Sequence, residues 1–263
     1  MTYRTMSSMR TKHILLTLLA VPVVLLAGTG CAATPSDDGS GHTAGSAWSY
    51  RGDSGPGHWG ELADAYRACG AGERQSPIDL PAPGGGDELD VVGPGPVDGV
   101  TADDGHTVQL TAADGARTTL AGEDLDVVQA HVHAASEHTV QGEASAAEFH
   151  FVHTDAAGRL TVVGVLAERG AHNPAYDAFV AGATGDAGRT SRLDVESMLP
   201  TSRSFATYEG SLTTPPCTEG VRWIVLEQPV ELGHEQLAAL EAAHEGTARP
   251  VQPLGDRDVR HTL

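Results

Sequence analysis

The stretch Gln129-Ala-His131-Val-His133, followed by Glu148-Phe-His150-Phe-Val-His153, decides how this 263-residue chain folds. Apolar and polar side chains alternate in both segments, the period of a β-strand, where residues i and i+2 share a face. Ala130 and Val132 then face one way, and Gln129, His131 and His133 the other. The intervening segment contains Gln141-Gly142-Glu143 and suits a hairpin that returns the second strand beside the first. His150 then lies next to the first pair. Three neutral imidazoles with an open fourth position form the donor set of a catalytic zinc site, whereas structural sites are closed. Gln129 and Glu148 each precede a histidine by two. Each offers an acceptor for the ring N–H that a metal leaves over. A bare His-x-His is weak evidence in a chain with 13 histidines; the third histidine and the two acceptors carry the expectation.

Working outward, short apolar or alternating runs read as further strands: Thr107–Leu110, Asp126–Gln129, Leu160–Leu166 and Val221–Leu226. Helical patterns are fewer. Pro174–Val180 has Asn173 as N-cap and Pro174 at the first helical position, Leu193–Leu199 is weaker, and His234–His244 is followed by the stop Gly246. Residues 81–99 are rich in Gly, Pro and Asp and read as loop. The class is mainly β with a few short peripheral helices. Aromatic residues make up 5% of the chain, so the core rests on Val, Leu and Ala. The 16 basic residues against 35 acidic give a formal net charge of −19. Such a chain repels nucleic acid and anionic lipid surfaces. The composition excludes a DNA-binding protein, a collagen and a polytopic membrane protein.

The first thirty residues form an address. Arg4, Arg10 and Lys12 precede the apolar run Ile14–Ala27, which is short for a membrane-spanning helix. A basic segment, a short apolar core and then small residues describe a secretory signal peptide. Gly28-Thr29-Gly30 before Cys31 resembles a bacterial lipobox, although Gly28 stands where Leu is more usual. The alternative is an ordinary cleaved signal and an incidental cysteine. Residues 31–46 are then a lipidated Cys and flexible tether, and 47–263 the catalytic domain. The expectation is an exported protein: a cell-envelope lipoprotein on the outer side of the cytoplasmic membrane, or a secreted protein. Contact with the membrane is through the N-terminal lipid alone.

Six collinear motifs resemble the α-class carbonic anhydrases. They are Gly72-Glu-Arg-Gln-Ser-Pro-Ile-Asp79, Asp104-Gly-His106-Thr-Val-Gln109, the histidine segments with Ser136-Glu137-His138-Thr-Val140 between them, Gly210-Ser-Leu-Thr-Thr-Pro-Pro-Cys217, Trp223-Ile-Val-Leu226, and Arg249-Pro-Val-Gln-Pro-Leu254. They run in order from about Trp48 to Leu254. The resemblance implies one domain (α+β) around a large central, mostly antiparallel twisted sheet. It implies reversible hydration of carbon dioxide to bicarbonate and a proton, by zinc-bound hydroxide. His131, His133 and His150 become the zinc ligands, with Gln129, Glu148 and the backbone carbonyl near Thr247 orienting them. Thr213 becomes the gatekeeping hydroxyl that donates to Glu137, and Thr214 lines the bicarbonate site. Val152, Val162, Leu212 and Trp223 form the carbon dioxide pocket. Tyr50 and Gln109 hold the solvent network, and His106 shuttles protons. The resemblance further implies a Cys69–Cys217 disulfide and cis bonds at Ser76–Pro77 and Pro215–Pro216. That pairing leaves Cys31 over, as a lipid-bearing cysteine would be. Ala134 and Thr154 depart from the family, which commonly has aromatic residues there, and thin the packing behind the histidine strands.

Three other functions compete. A non-catalytic relative lacks some of the three histidines, and here all are present. A zinc scavenger needs clustered exposed histidines, whereas His172, His234 and His244 are scattered along the chain. An ester hydrolase would use the same zinc chemistry and stands as a side activity.

Overall fold

The alternating segments form the middle of a ten-stranded sheet. The computed structural model describes residues 48–93, 96–103, 105–185 and 188–263. The segments read as a signal peptide, a lipid-bearing Cys31 and a tether lie outside the described residues. The strands are β1 (Asp79–Leu80), β2 (Val91–Val92), β3 (Val97–Asp103), β4 (Val108–Ala112), β5 (Arg117–Leu120), β6 (Glu123–His133), β7 (Thr139–Val140), β8 (Glu143–Ala144), β9 (Ala147–Thr154), β10 (Leu160–Arg169), β11 (Arg189–Leu193), β12 (Phe205–Ser211) and β13 (Glu219–Leu232). The helices are α1 (Trp59–Leu62), α2 (Ala68–Ala71), α3 (Asp177–Ala183), α4 (Val195–Met198) and α5 (His234–His244).

The large sheet runs β11-β3-β4-β6-β9-β10-β13-β12, with β5 also on β6 and β2 on β5. β1, β7 and β8 make a separate small sheet. The large sheet is antiparallel apart from β10 and β13, which run parallel. Its mainly β, mostly antiparallel character agrees with the sequence reading. The loop assignment for 81–99 needs correction: β2 and the start of β3 lie within it. Val91 and Val97 supply buried anchors that the glycines and prolines around them disguise.

One face of the sheet carries the main core. Leu110, Ala130, Val132, Phe149, Phe151, Val163, Val165, Ile224 and Leu226 meet Phe179 of α3 and Leu237 and Leu240 of α5 there. Phe149 and Phe151 are fully buried, each worth about 2–3 kcal/mol of apolar burial. On the other face a second apolar cluster gathers Ile78, Leu80, Val152, Val162, Tyr208 and Trp223. A bulge between Val127 and Gln129 adjusts β6 between these faces. Leu125 and Val127 are buried before it, and Ala130 and Val132 after it. The inserted residue thus switches odd to even positions, and the downstream histidines project from the face opposite the core. Pro174–Tyr176 forms a 3-10 turn with the Asn173 side chain accepting from Ala175 N–H, and continues into α3. The cis bonds at Ser76–Pro77 and Pro215–Pro216 are present, with a third at Ala134–Ala135.

Candidate metal centre

β6 and β9 pair with His131 opposite His150. His150 Nδ1 lies 3.2 Å from His131 Nε2. The ring of His133 is centred 5.0 Å from that of His131 and 4.8 Å from that of His150. One nitrogen from each ring falls within 4.8 Å of the others, a spacing that could hold a metal ion. Each far nitrogen lies beside an acceptor. His131 Nδ1 meets Gln129 Oε1 at 2.8 Å, His133 Nδ1 meets the Thr247 carbonyl at 2.7 Å, and His150 Nε2 lies 2.9 Å from Glu148 Oε1. These contacts fix the tautomers, leaving two Nε2 atoms and one Nδ1 free of a proton toward the centre. Burial, then His150 and His133, holds the His131 ring well below its ordinary pKa. Burial also lowers His150. Neutral imidazoles at neutral pH are what a divalent ion requires as donors, and this set fits zinc with one position open.

Glu148 is the hub behind His150. Its Oε2 accepts the backbone N–H groups of Glu137 (2.9 Å) and His138 (2.8 Å), and its Oε1 accepts from His138 Nδ1 at 2.7 Å. Burial would raise this carboxyl. His138, His150 and the hydrogen bonds they make outweigh it and hold the group well below the carboxylate range. The chain of contacts continues from His138 Nε2 to the Tyr208 hydroxyl (2.7 Å), which donates to Ser76 Oγ (2.9 Å). Glu137 behaves differently. Burial pushes its carboxyl up to about 7, against the opposing pull of His150, the Thr213 side chain and the Arg249 N–H. Its Oε1 accepts from Arg249 N at 2.8 Å, and its Oε2 lies 3.4 Å from His133 Nε2.

The other residues singled out in the sequence gather around the same centre. Thr214, Tyr50, His106 and Gln109 line one cleft with His131 and His133. Val152, Val162 and Trp223 are buried together, with Leu212 packed on them. The Trp223 ring is centred 4.8 Å from His150, so this apolar wall abuts the imidazoles. Cys69 and Cys217 form a disulfide. Its partners secure the loop carrying Thr213 and Thr214: Cys217 N–H donates to Thr214 O (2.8 Å), and Gln75 Nε2 donates to Cys217 O (3.1 Å). The described residues thus bring every predicted site residue except Cys31 into one neighbourhood.

Some participants were not singled out. His106 stacks on Trp48, with centroids 3.8 Å apart and planes 13° from parallel. The buried Arg249 guanidinium donates to Gln75 Oε1 (3.0 Å), Ser76 O (2.7 Å) and Cys69 O (2.8 Å), tying its own segment to the Gln75-Ser76 turn and to α2. His138 and Arg249 stand inside quoted motifs, but only the fold shows their partners. Ala134, where the family commonly has an aromatic, is 4% exposed, and its carbonyl accepts from Gly246 N–H at 3.1 Å.

The family profile for eukaryotic-type carbonic anhydrases matches residues 54–263. A carbonic anhydrase from Nostoc is 34% identical, covering 96% of this chain and 98% of its own length. One from Klebsiella pneumoniae is 39% identical over 81% of this chain and 89% of its own. Among solved structures, the α-carbonic anhydrase of Thermovibrio ammonificans, in complex with sulfanilamide, superposes with a TM-score of 0.72 at 36% identity. It covers 83% of this chain and all of the other. The histidine cluster, its acceptors, the collinear motifs and these similarities lead to one statement: this chain belongs to the α-type carbonic anhydrase family.

Proposed function

We propose that this carbonic anhydrase hydrates carbon dioxide at one zinc ion held by His131, His133 and His150, and that His106 carries the released proton to solvent. The observation that carries the reading is the set of three buried or half-buried imidazoles. Each has one nitrogen beside an acceptor and the other within reach of a common point. A zinc ion there supplies the acidification of water that makes it a nucleophile near neutral pH. Protein groups do the rest. Val152, Val162, Leu212 and Trp223 offer a wall without hydrogen-bonding groups toward an apolar substrate. Glu137, its other oxygen occupied by Arg249 N–H, accepts a hydrogen bond from the Thr213 hydroxyl, so Thr213 presents a lone pair to the cleft and orients the attacking group. Thr214 holds bicarbonate, while Tyr50 and Gln109 order the cleft water toward His106. An imidazole is suited to that last step because its ordinary pKa lies near neutrality. The disulfide supports export to an oxidising compartment, in keeping with a signal peptide and a lipid on Cys31.

The test is His133→Ala. Zinc, measured by atomic absorption after dialysis, is expected to fall from about one per chain to a small fraction, with essentially all hydration activity lost. Near-normal turnover in that variant would mean that the centre is assigned to the wrong residues.

A further inference from the structure

The turn that carries His106 is fastened by a contact with no part in the scheme above. β3 ends at Asp103 and β4 begins at Val108, so His106 sits on a short connection. Gly105 in that connection has φ +87, in the left-handed region. Its N–H donates to Asp103 Oδ1 at 2.8 Å. The same Oδ1 lies 3.2 Å from Nε2 of His244, the last residue of α5. His244 is 9% exposed, so its ring is held in the protein body while the carboxylate it meets stands at the end of β3, where the connection begins. The His244 carbonyl accepts from Thr247 Oγ1 at 3.0 Å, anchoring the segment behind it. Tyr50, Gly105, His106 and His244 line one cleft. One carboxylate oxygen therefore closes the turn internally and faces the His244 ring at the helix end, at ion-pair distance and outside good hydrogen-bond geometry.

We propose that Asp103 and His244 form a latch that positions His106. The proposal rests on His106 being the proton carrier. Proton transfer through ordered water is steeply sensitive to placement. The stacking on Trp48 fixes the plane of the ring. The latch fixes the backbone from which the ring projects. Without it, the exposed Gly105 and the backbone leading into the half-buried His106 open more readily. Asp103 and His244 are positioning residues: neither touches substrate.

The zinc-loaded full chain tests this with His106→Ala, His244→Ala, His244→Gln and the double alanine variant. In dilute buffer, His106→Ala should lower kcat about tenfold or more and recover with added imidazole. His244→Ala should lower kcat by about three- to tenfold, leave kcat/KM for carbon dioxide within about twofold, and also recover with imidazole. The double variant should be no slower than His106→Ala. His244→Gln, whose amide can donate to Asp103, should retain most of the rate. Hydrogen exchange gives a readout independent of turnover. The Gly105 amide should exchange about tenfold faster in His244→Ala and near the parent rate in His244→Gln. If His106→Ala leaves kcat unchanged, the shuttle reading fails and Gly105 exchange alone judges the latch. If His106→Ala slows the enzyme but His244→Ala changes neither kcat nor Gly105 exchange, the latch is wrong. A parallel loss of kcat and kcat/KM in His244→Ala also overturns it, placing His244 in support of Thr247 and His133.

Discussion

His150 and His153 stand on one strand, face opposite ways and have opposite fates. His150 has Glu148 beside it and two other imidazoles in front. His153 is fully buried, and its nitrogens reach no partner in good hydrogen-bond geometry among the described residues. Burial pushes its pKa down to about 4, only partly offset by the nearby carbonyls of Thr161 and Phe151. In the unfolded chain the same ring titrates near 6.5. Between those values the unfolded state binds the extra proton, so stability rises with pH across this window and is lost as the pH falls from about 6.5 toward 4. The gap corresponds to about 3 kcal/mol. His153→Phe should therefore flatten the pH dependence of the urea midpoint between pH 6.5 and 4.5 while leaving zinc content unchanged. An identical slope in parent and variant would show that another group carries it. In the sequence His150 has its acceptor two residues earlier and His153 falls on the opposite face; the dry surroundings that hold His153 neutral come from the fold.

At the scale of elements, alternation made β6, β9, β10 and β13 legible, and with them the three histidines and both acceptors. Three features were not legible, each for a physical reason. The bulge at Val127–Gln129 is one residue of extra length, and Val127-Val128 looks like uninterrupted strand. The parallel pairing of β10 with β13 joins segments far apart in the chain and has no local signal. β2 and β3 are edge-side strands whose few valines are diluted by turn-forming residues. Gly164 illustrates what pairing adds. It lies opposite His150 on β10, and a Cβ there would come within 3.0 Å of Glu148 Oε1 and 3.4 Å of Val225 Cγ2. Its φ is not in the left-handed region, so space is the constraint. Gly164→Ala should press on Glu148, disturb the acceptor for His150 Nε2 and weaken zinc binding by about tenfold or more. Competition against a chelator measures this directly. Parent affinity in the variant would show that Glu148 does not need its present place to support the ion.

For the whole molecule, the resemblance covered nearly all of the described chain because the motifs that meet at the centre are dispersed along it, from Tyr50 to Thr247. This arrangement puts a demand on the fold: loops far apart in sequence must converge within ångströms. The Cys69–Cys217 bridge addresses it covalently. It spans 148 residues, more than half the chain, and joins the helical turn of α2 to the loop after Thr214. Cross-linking so long a loop limits the unfolded ensemble by about 5 kcal/mol in a chain-entropy account, an upper figure because native-state strain offsets it. For a domain of this size each kcal/mol moves the melting point by about 2–4 °C. Cys69→Ala with Cys217→Ala should thus lower Tm by about 10 °C. Alanine is the right replacement because both sulfurs sit among Trp59 and neighbouring apolar groups, where serine would bury a hydroxyl. Arg249 still clamps Cys69 O and Ser76 O in the variant, so the fold should survive. The loop carrying Thr213 and Thr214 loses its covalent anchor, and hydration activity should fall while zinc content stays near one per chain. A melting point that matches the parent and ignores reductant in both proteins would show that Arg249 and the buried hydrogen bonds suffice to hold the two loops together.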